Sequence, residues 1–425
     1  MEGRFGGPER YAAFDRRLRY PMKMGETVKR ISCVISLLVL FAFGCDGASP
    51  GSQVAEPIVQ DSAGVTVVFF PGQIRDYATP KLKLEPLIRI GEDESGLNLF
   101  RVAGARFLPS GTLVIANAGV PELLLVDSKG DLVGRVGRQG EGPGEFGTIT
   151  SLHVHGDGSI VTYDDRLARL SVFDQSGEVL STRRMTDPNP ISDLIPLVVS
   201  PTGPVLAIYG DNRVFGKDGE RQDSTPLLRF SPESSEPDSL SVWPTKTWRF
   251  LSVGPGTSRT QVPFSPDLLS AGRGPWAALA TTHDPVITEF DGHGTIRRSI
   301  HWKEEGRAVS GTDFEQWQEG RLSAFPDAIP EGTRQQMVDL EHFPTHPVIE
   351  GIFLDAEGAV WIAPSSLSSG SNRKWIRVTA EGQPEGAIAL PISAEILDAA
   401  NGRMAVLDRD ELDVEVITVF RVEGE

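Results

Sequence analysis

LIRIGEDESGLNLF followed by ARFLPSGTLVIAN (residues 87–100 and 105–117) and VGRVGRQGEGPGEF followed by SLHVHGDGSIVTYD (residues 133–146 and 151–164) share one layout. Gly91 and Phe100 stand nine residues apart, as do Gly137 and Phe146. The turn glycines Gly111 and Gly158 follow eleven and twelve residues after each Phe, and the layout recurs after 46 residues. A period in the forties, made of short strands joined by Gly turns, predicts β-propeller blades.

Working outward, X-Gly turns between alternating apolar runs mark the strand pairs of each blade. They fall at Ser110-Gly111 and Lys129-Gly130, Asp157-Gly158 and Ser176-Gly177, Thr202-Gly203, Arg273-Gly274 and His293-Gly294, Glu357-Gly358 and Glu381-Gly382, and Asn401-Gly402. Six blades result, each read as strands a to d. The last blade has no fourth strand of its own. LIRIG (residues 87–91) precedes the first blade and is expected to supply that strand beside VEVITVFRV (residues 414–422), closing the ring and leaving no free sheet edge. Residues 303–346 break the pattern. GTDFEQWQEGRLSAF and EGTRQQMVDLEHF have helical spacing, so a helical insertion is expected between blades 4 and 5, over the face where strands a begin. The fold class is therefore all-β, with 45 Gly and 31 Pro and only 8% aromatic residues supporting a turn-rich chain over a helical one.

The formal charge of −17 excludes a nucleic-acid role, because phosphate backbones are bound by clustered cations. Lys29 and Arg30 precede thirteen uncharged residues, Ile31 to Phe43, a run too short to cross a bilayer and typical of a secretory signal. Residues 1–44 are read as that signal, 45–60 as a small, polar tether and 61–425 as the propeller. Residues 1–21 have no role in a signal, and a start at Met22 or Met24 gives a conventional one. Cys33 lies inside the apolar run, so a processed chain keeps Cys45 and forms no disulfide.

Gly44-Cys45 after the apolar run resembles the bacterial lipobox, in which the Cys is acylated and becomes the new N-terminus. GRQGEGPGEF (residues 137–146) resembles the blade junction of NHL repeats, where glycines make the crossing and the Phe packs between sheets. Together with PFSPDLL (263–269), HFPTHPVIEGIFLDAEGAVWIA (342–363) and DRDELDVEVITVFRV (408–422), it makes the chain similar to bacterial six-bladed propeller lipoproteins. That resemblance implies a lipid on Cys45 and a place in the cell envelope, on the periplasmic side of a membrane. It carries no common activity.

The candidate binding residues follow from the face on which strands a begin. Arg101, Arg166, Arg213 and Arg373 fall in its loops, where cations on an acidic protein favour an anionic ligand. His153 lies on strand a of blade 2. Asp193, Asp267, Glu350 and Glu395 stand near the starts of strands a, where carboxylates pointing into one channel could hold Ca²⁺. A Zn²⁺ site like that of six-bladed lyases needs three histidines from three strands a, and strand a of blade 2 offers one. The sequence has no Walker loop, and its Gly-x-Ser-x-Gly match, GASPG (47–51), falls in the expected tether rather than on the strand-to-helix turn a nucleophile elbow requires. The expected function is a monomeric, cofactor-free scaffold binding a protein, peptide or glycan. The alternative is a metal-dependent hydrolase, lactonase or lyase with Ca²⁺ or Zn²⁺ at the channel mouth.

Overall fold

The computed structural model describes residues 54–91, 97–185, 193–210, 218–234, 236–253, 256–323, 339–366, 371–410 and 412–424. Gln53–Glu425 is one compact unit; residues 1–44, read above as a signal, and Cys45 lie outside the described residues.

Six sheets form among the described residues, one for each expected blade and each antiparallel within its four blade strands. Their inner strands a are Val102–Phe107, Ser151–Val154, Leu194–Val199, Leu268–Arg273, Ile349–Leu354 and Glu395–Ala400, in blades 1 to 6. The apolar side chains of these sheets gather into six buried clusters. Each joins one blade to the next, and one of them joins blade 6 to blade 1 through Leu397, Ala405 and Ile417 against Ala105, Phe107 and Ile115. An open fan of six sheets has five interfaces; six means a closed ring. The latch is the strand Leu82–Ile90, paired antiparallel with Glu415–Gly424 from Leu82↔Gly424 to Ile90↔Ile417. It is longer than the expected LIRIG and lies in the expected place.

The blade 1–2 junction follows the glycine logic of its sequence. Gly137 has φ +80°, and a Cβ there would lie 2.2 Å from the Phe146 ring, which is fully buried against Phe173. Only glycine fits so close beneath an aromatic in a left-handed conformation. The first copy differs. Phe100 is 55% exposed with Arg101 over its ring, and Leu97 and Leu99 fill the blade 6–1 interface instead. Equal spacing did not carry equal burial, because Leu99 already occupies the space beside Gly91.

Two additions lie outside the expected blades. Ile58–Ser62 and Val65–Phe70 form a hairpin that adds to blade 4, its second strand running parallel to strand d (Ile296–Trp302) from Thr66↔Arg298 to Phe70↔Trp302. Chain expected to be tether up to residue 60 is therefore strand from Ile58. Blade 3 carries a fifth strand, Gly256–Gln261, on a sixteen-residue strand Asp238–Val253.

The insertion contains helix α1, Gly311–Ser323, started by a capping box: Ser310 Oγ accepts from the Asp313 N–H and the Asp313 carboxylate accepts from the Ser310 N–H. The second expected helical stretch mostly lies outside the described residues. Its described end, residues 339–343, is turn and loop rather than the expected helix, Pro344 disfavouring the helical conformation at Phe343 before it. It docks on loops of blades 3 and 4, the Phe343 N–H donating to Pro263 O (2.9 Å) and His283 Nε2 lying 3.1 Å from Thr345 O.

Candidate functional site

Strand a is bulged in blades 1, 3, 5 and 6, leaving Ala103, Leu197, Glu350 and Leu397 as the extra residues. A bulge re-aims side chains at the cost of one ladder position. All four extra residues line a cavity of about 550 Å³ at the end of the channel where strands a begin, with walls drawn from all six inner strands.

Next to its lining residues Gly272 and Leu397, one side chain ties the inner strands together. Arg273, at the end of strand a in blade 4, donates to Val154 O of blade 2 (2.9 Å) and to Asp398 Oδ2 of blade 6 (3.0 Å). Its Nε lies 2.8 Å from Asp398 Oδ1, and Asp398 also accepts the Phe107 N–H of blade 1 at 2.7 Å. The pair is 6% and 0% exposed. Four blades thus meet in one buried ion pair. Burial pushes the Asp398 carboxyl up, while Arg273 and Arg106 pull it back toward the charged form. Strand a of blade 4 can pass here because Gly272 has no side chain: a Cβ would lie 1.9 Å from Leu197 O. Phe107, Val154, His155 and Arg273 line a separate hollow of about 250 Å³.

The cavity walls carry charge. Arg106 Nη1 donates to the carbonyls of Ala105 (2.9 Å) and Leu397. Glu350 accepts from Ser365 Oγ (3.0 Å) and the Ser366 N–H (2.9 Å), and its other oxygen lies 3.5 Å from Arg373 Nε. Burial raises the Glu395 carboxyl, opposed by Arg106 and reinforced by Glu415. Trp375 stands against Gly351, where a Cβ would meet its ring at 2.8 Å.

His153 is 7% exposed and its Nε2 has no hydrogen-bond partner. Burial, then the nearby Arg106, His155 and Arg273, push this imidazole down to about 3. It is a neutral donor–acceptor here, not a cation. An unfolded His titrates near about 6.5, so below that pH the unfolded chain binds a proton that the folded chain refuses. Stability contributed by His153 is therefore lost as pH falls from about 6.5 toward 3, at about 1.4 kcal/mol per pH unit. Urea melts at pH 7 and pH 5 should show wild type losing about 2 kcal/mol more than His153→Gln; equal losses contradict a buried neutral ring.

The cavity thus brings together His153, Glu350, Arg373 and Glu395 of the candidates read from the sequence. Arg101, Arg166, Asp193 and Asp267 are not among its lining residues, and Arg213 lies outside the described residues. Arg101 and Arg166 are exposed loop residues, Asp193 is exposed, and Asp267 faces Lys246 at 3.5 Å. Among the described residues no three His, Cys, Asp or Glu side chains converge as a metal site requires, and no helix is long and apolar enough to cross a membrane. No described residue of the insertion lines the cavity; they pack to one side of it.

Sequence reasoning missed Arg106, Arg273, Asp398 and Trp375. Asp398 did leave a signal: a lone carboxylate inside the apolar run Ile396–Ala400 has to find a buried cation. Arg273 was hidden by its position before a turn glycine, where any polar residue passes for a solvated one.

Residues 107–197 match the family model DUF5128, described as a 6-bladed beta-propeller. The chain is a six-bladed β-propeller. None of the curated proteins matches it. Among solved structures the propeller is similar to a Bacteroides fragilis protein described as exported (12% identity, TM-score 0.46, covering 84% of this chain and 100% of that one). It is also similar to a DUF4221 family member from Bacteroides vulgatus (9%, 0.48, covering 81% and 99%). A third likeness is to virginiamycin B lyase from Staphylococcus aureus (12%, 0.36, covering 80% and 99%). At such low identity and TM-score these likenesses carry nothing about the propeller's own chemistry.

Proposed function

We propose that this propeller is an extracytoplasmic, lipid-anchored binding scaffold that takes a peptide or glycan segment of its partner into the cavity at the channel mouth. One observation carries the reading: a cavity of about 550 Å³ draws its walls from all six inner strands, next to the buried Arg273–Asp398 pair that ties four blades together. Its volume lies in the range of ligand sites, and its lining mixes apolar surface (Ile195, Ile352, Ile392) with a few convergent polar groups. Arg106, Arg373, Glu350 and Glu395 line its side at blades 5, 6 and 1, so a ligand offering both donors and acceptors is matched better than one carrying a single charge. The lipid on Cys45 and the envelope location rest on the charged and apolar run before Gly44-Cys45.

Peptide and glycan arrays probed with residues 54–425 test the reading, alongside the Arg373→Glu and Ser393→Trp variants. The expected result is a ligand class bound by wild type and weakened at least tenfold by both, since one reverses a wall charge and the other fills the mouth. Binding indifferent to both substitutions overturns the cavity as the site. A stoichiometric divalent ion, with a melting temperature lowered by chelator, would instead support the metal-dependent hydrolase or lyase.

A further inference from the structure

The N-terminal hairpin fixes where the tether leaves the propeller. Strands d run toward the face on which strands a begin, the face that opens into the cavity. Val65–Phe70 runs parallel to strand d of blade 4 and so ends at that face, with Phe70 beside Trp302. Ile58–Ser62 runs antiparallel to it, placing Ile58 opposite Phe69 at the cavity face and the Ala63-Gly64 turn at the far one. Two contacts hold this entry point. Tyr77, packed edge-on against Phe70 at 4.8 Å, donates through its hydroxyl to Ala55 O at 2.7 Å. The Lys303 N–H, just beyond strand d, donates to Gly72 O at 3.1 Å, and Arg75 pairs with Glu304.

From this rim to Cys45 the chain has ten residues, DGASPGSQVA, in positions 46–55. Ten residues at random-coil dimensions have a root-mean-square span of about 17 Å, and their limit when fully extended is about 35 Å. A blade strand of six residues alone is about 20 Å tall, before its turns are added. To bring the far face to the bilayer, the tether would have to run the full height of blade 4 near its limit of extension. To bring the cavity face there, it needs no more than its relaxed span. We propose that the anchor holds the propeller with its cavity opening toward the membrane, so that the partner it fits is one carried by the same membrane. This rests on acylation of Cys45 as proposed above.

Single-cysteine labelling tests it, because the processed chain carries no thiol besides the acylated Cys45. Ser393→Cys labels the cavity mouth and Ser110→Cys a turn on the far face; both serines are exposed. Each full-length lipoprotein, extracted from membranes, dye-labelled and reconstituted on phosphatidylcholine vesicles bearing an acceptor-labelled lipid, reports its distance by energy transfer. Transfer from position 393 at least twofold higher than from position 110 is the expected result. Equal transfer, or higher transfer from position 110, overturns the orientation. Failure of the protein to float with the vesicles overturns the anchor itself, and so separates the two failures.

Discussion

Asp398→Ala is expected to destabilise the propeller by about 3–5 kcal/mol, more than any other single side-chain truncation at the channel. The substitution leaves the Arg273 guanidinium, 6% exposed, without its counter-charge, and strips the Phe107 N–H of its acceptor. An unpaired buried charge costs far more than the pair contributes, so the loss measures the abandoned cation rather than the ion pair. Two companions make this reading specific. Asp398→Asn keeps an acceptor for Phe107 and should fall between wild type and Asp398→Ala. Arg273→Met combined with Asp398→Leu removes both charges and should recover most of the stability in a urea melt. If the double variant is no better than Asp398→Ala alone, the charge is not what matters and the pair is merely packing.

Ending the chain at Asp410 should abolish cooperative folding. The removed strand buries Val416, Ile417 and Val419, at 3%, 0% and 2% exposure. Burial of aliphatic side chains contributes about 1.5–3 kcal/mol each, so three of them already reach about 5–9 kcal/mol. Domains of this kind have about 5–15 kcal/mol in total. The cut also leaves Leu82–Ile90 without its partner and blade 6 with two strands, opening two sheet edges. Calorimetry and near-ultraviolet circular dichroism should show no native transition and no fixed aromatic packing. A truncated chain with a sharp unfolding peak would mean that blade 6 is dispensable and the ring is not closed by it.

The strands were readable because each rule acts locally. An X-Gly turn such as Asp157-Gly158 or Glu357-Gly358 needs a residue at positive φ, and both glycines adopt it, at +86° and +80°. Closure was readable for a related reason: a blade short of one strand and an unassigned strand ahead of blade 1 leave one economical pairing. The hairpin Ile58–Phe70 was not assigned. IVQDS-AG-VTVVFF has the alternation and turn of a hairpin, but its partner is strand d of blade 4, more than two hundred residues away and parallel. No local pattern encodes such a contact. The site divides along the same line. Glu350 and Glu395 were found because the starts of strands a are countable from the turns. Arg106 and Asp398 were not, because a bulge within each strand a decides which side chain faces the axis. Arg166 and Asp193 were placed on the right face yet away from the cavity, since loop membership gives a face but not a radius.

Native-state hydrogen exchange on the two latching strands tests the closed ring most directly. The account predicts that the amides of Leu82–Ile90 and Val416–Val422 are as protected as those of strand a in blade 1, Val102–Phe107, and exchange with them only through global unfolding. Rapid exchange of Leu82–Ile90 while Val102–Phe107 stays protected would contradict it.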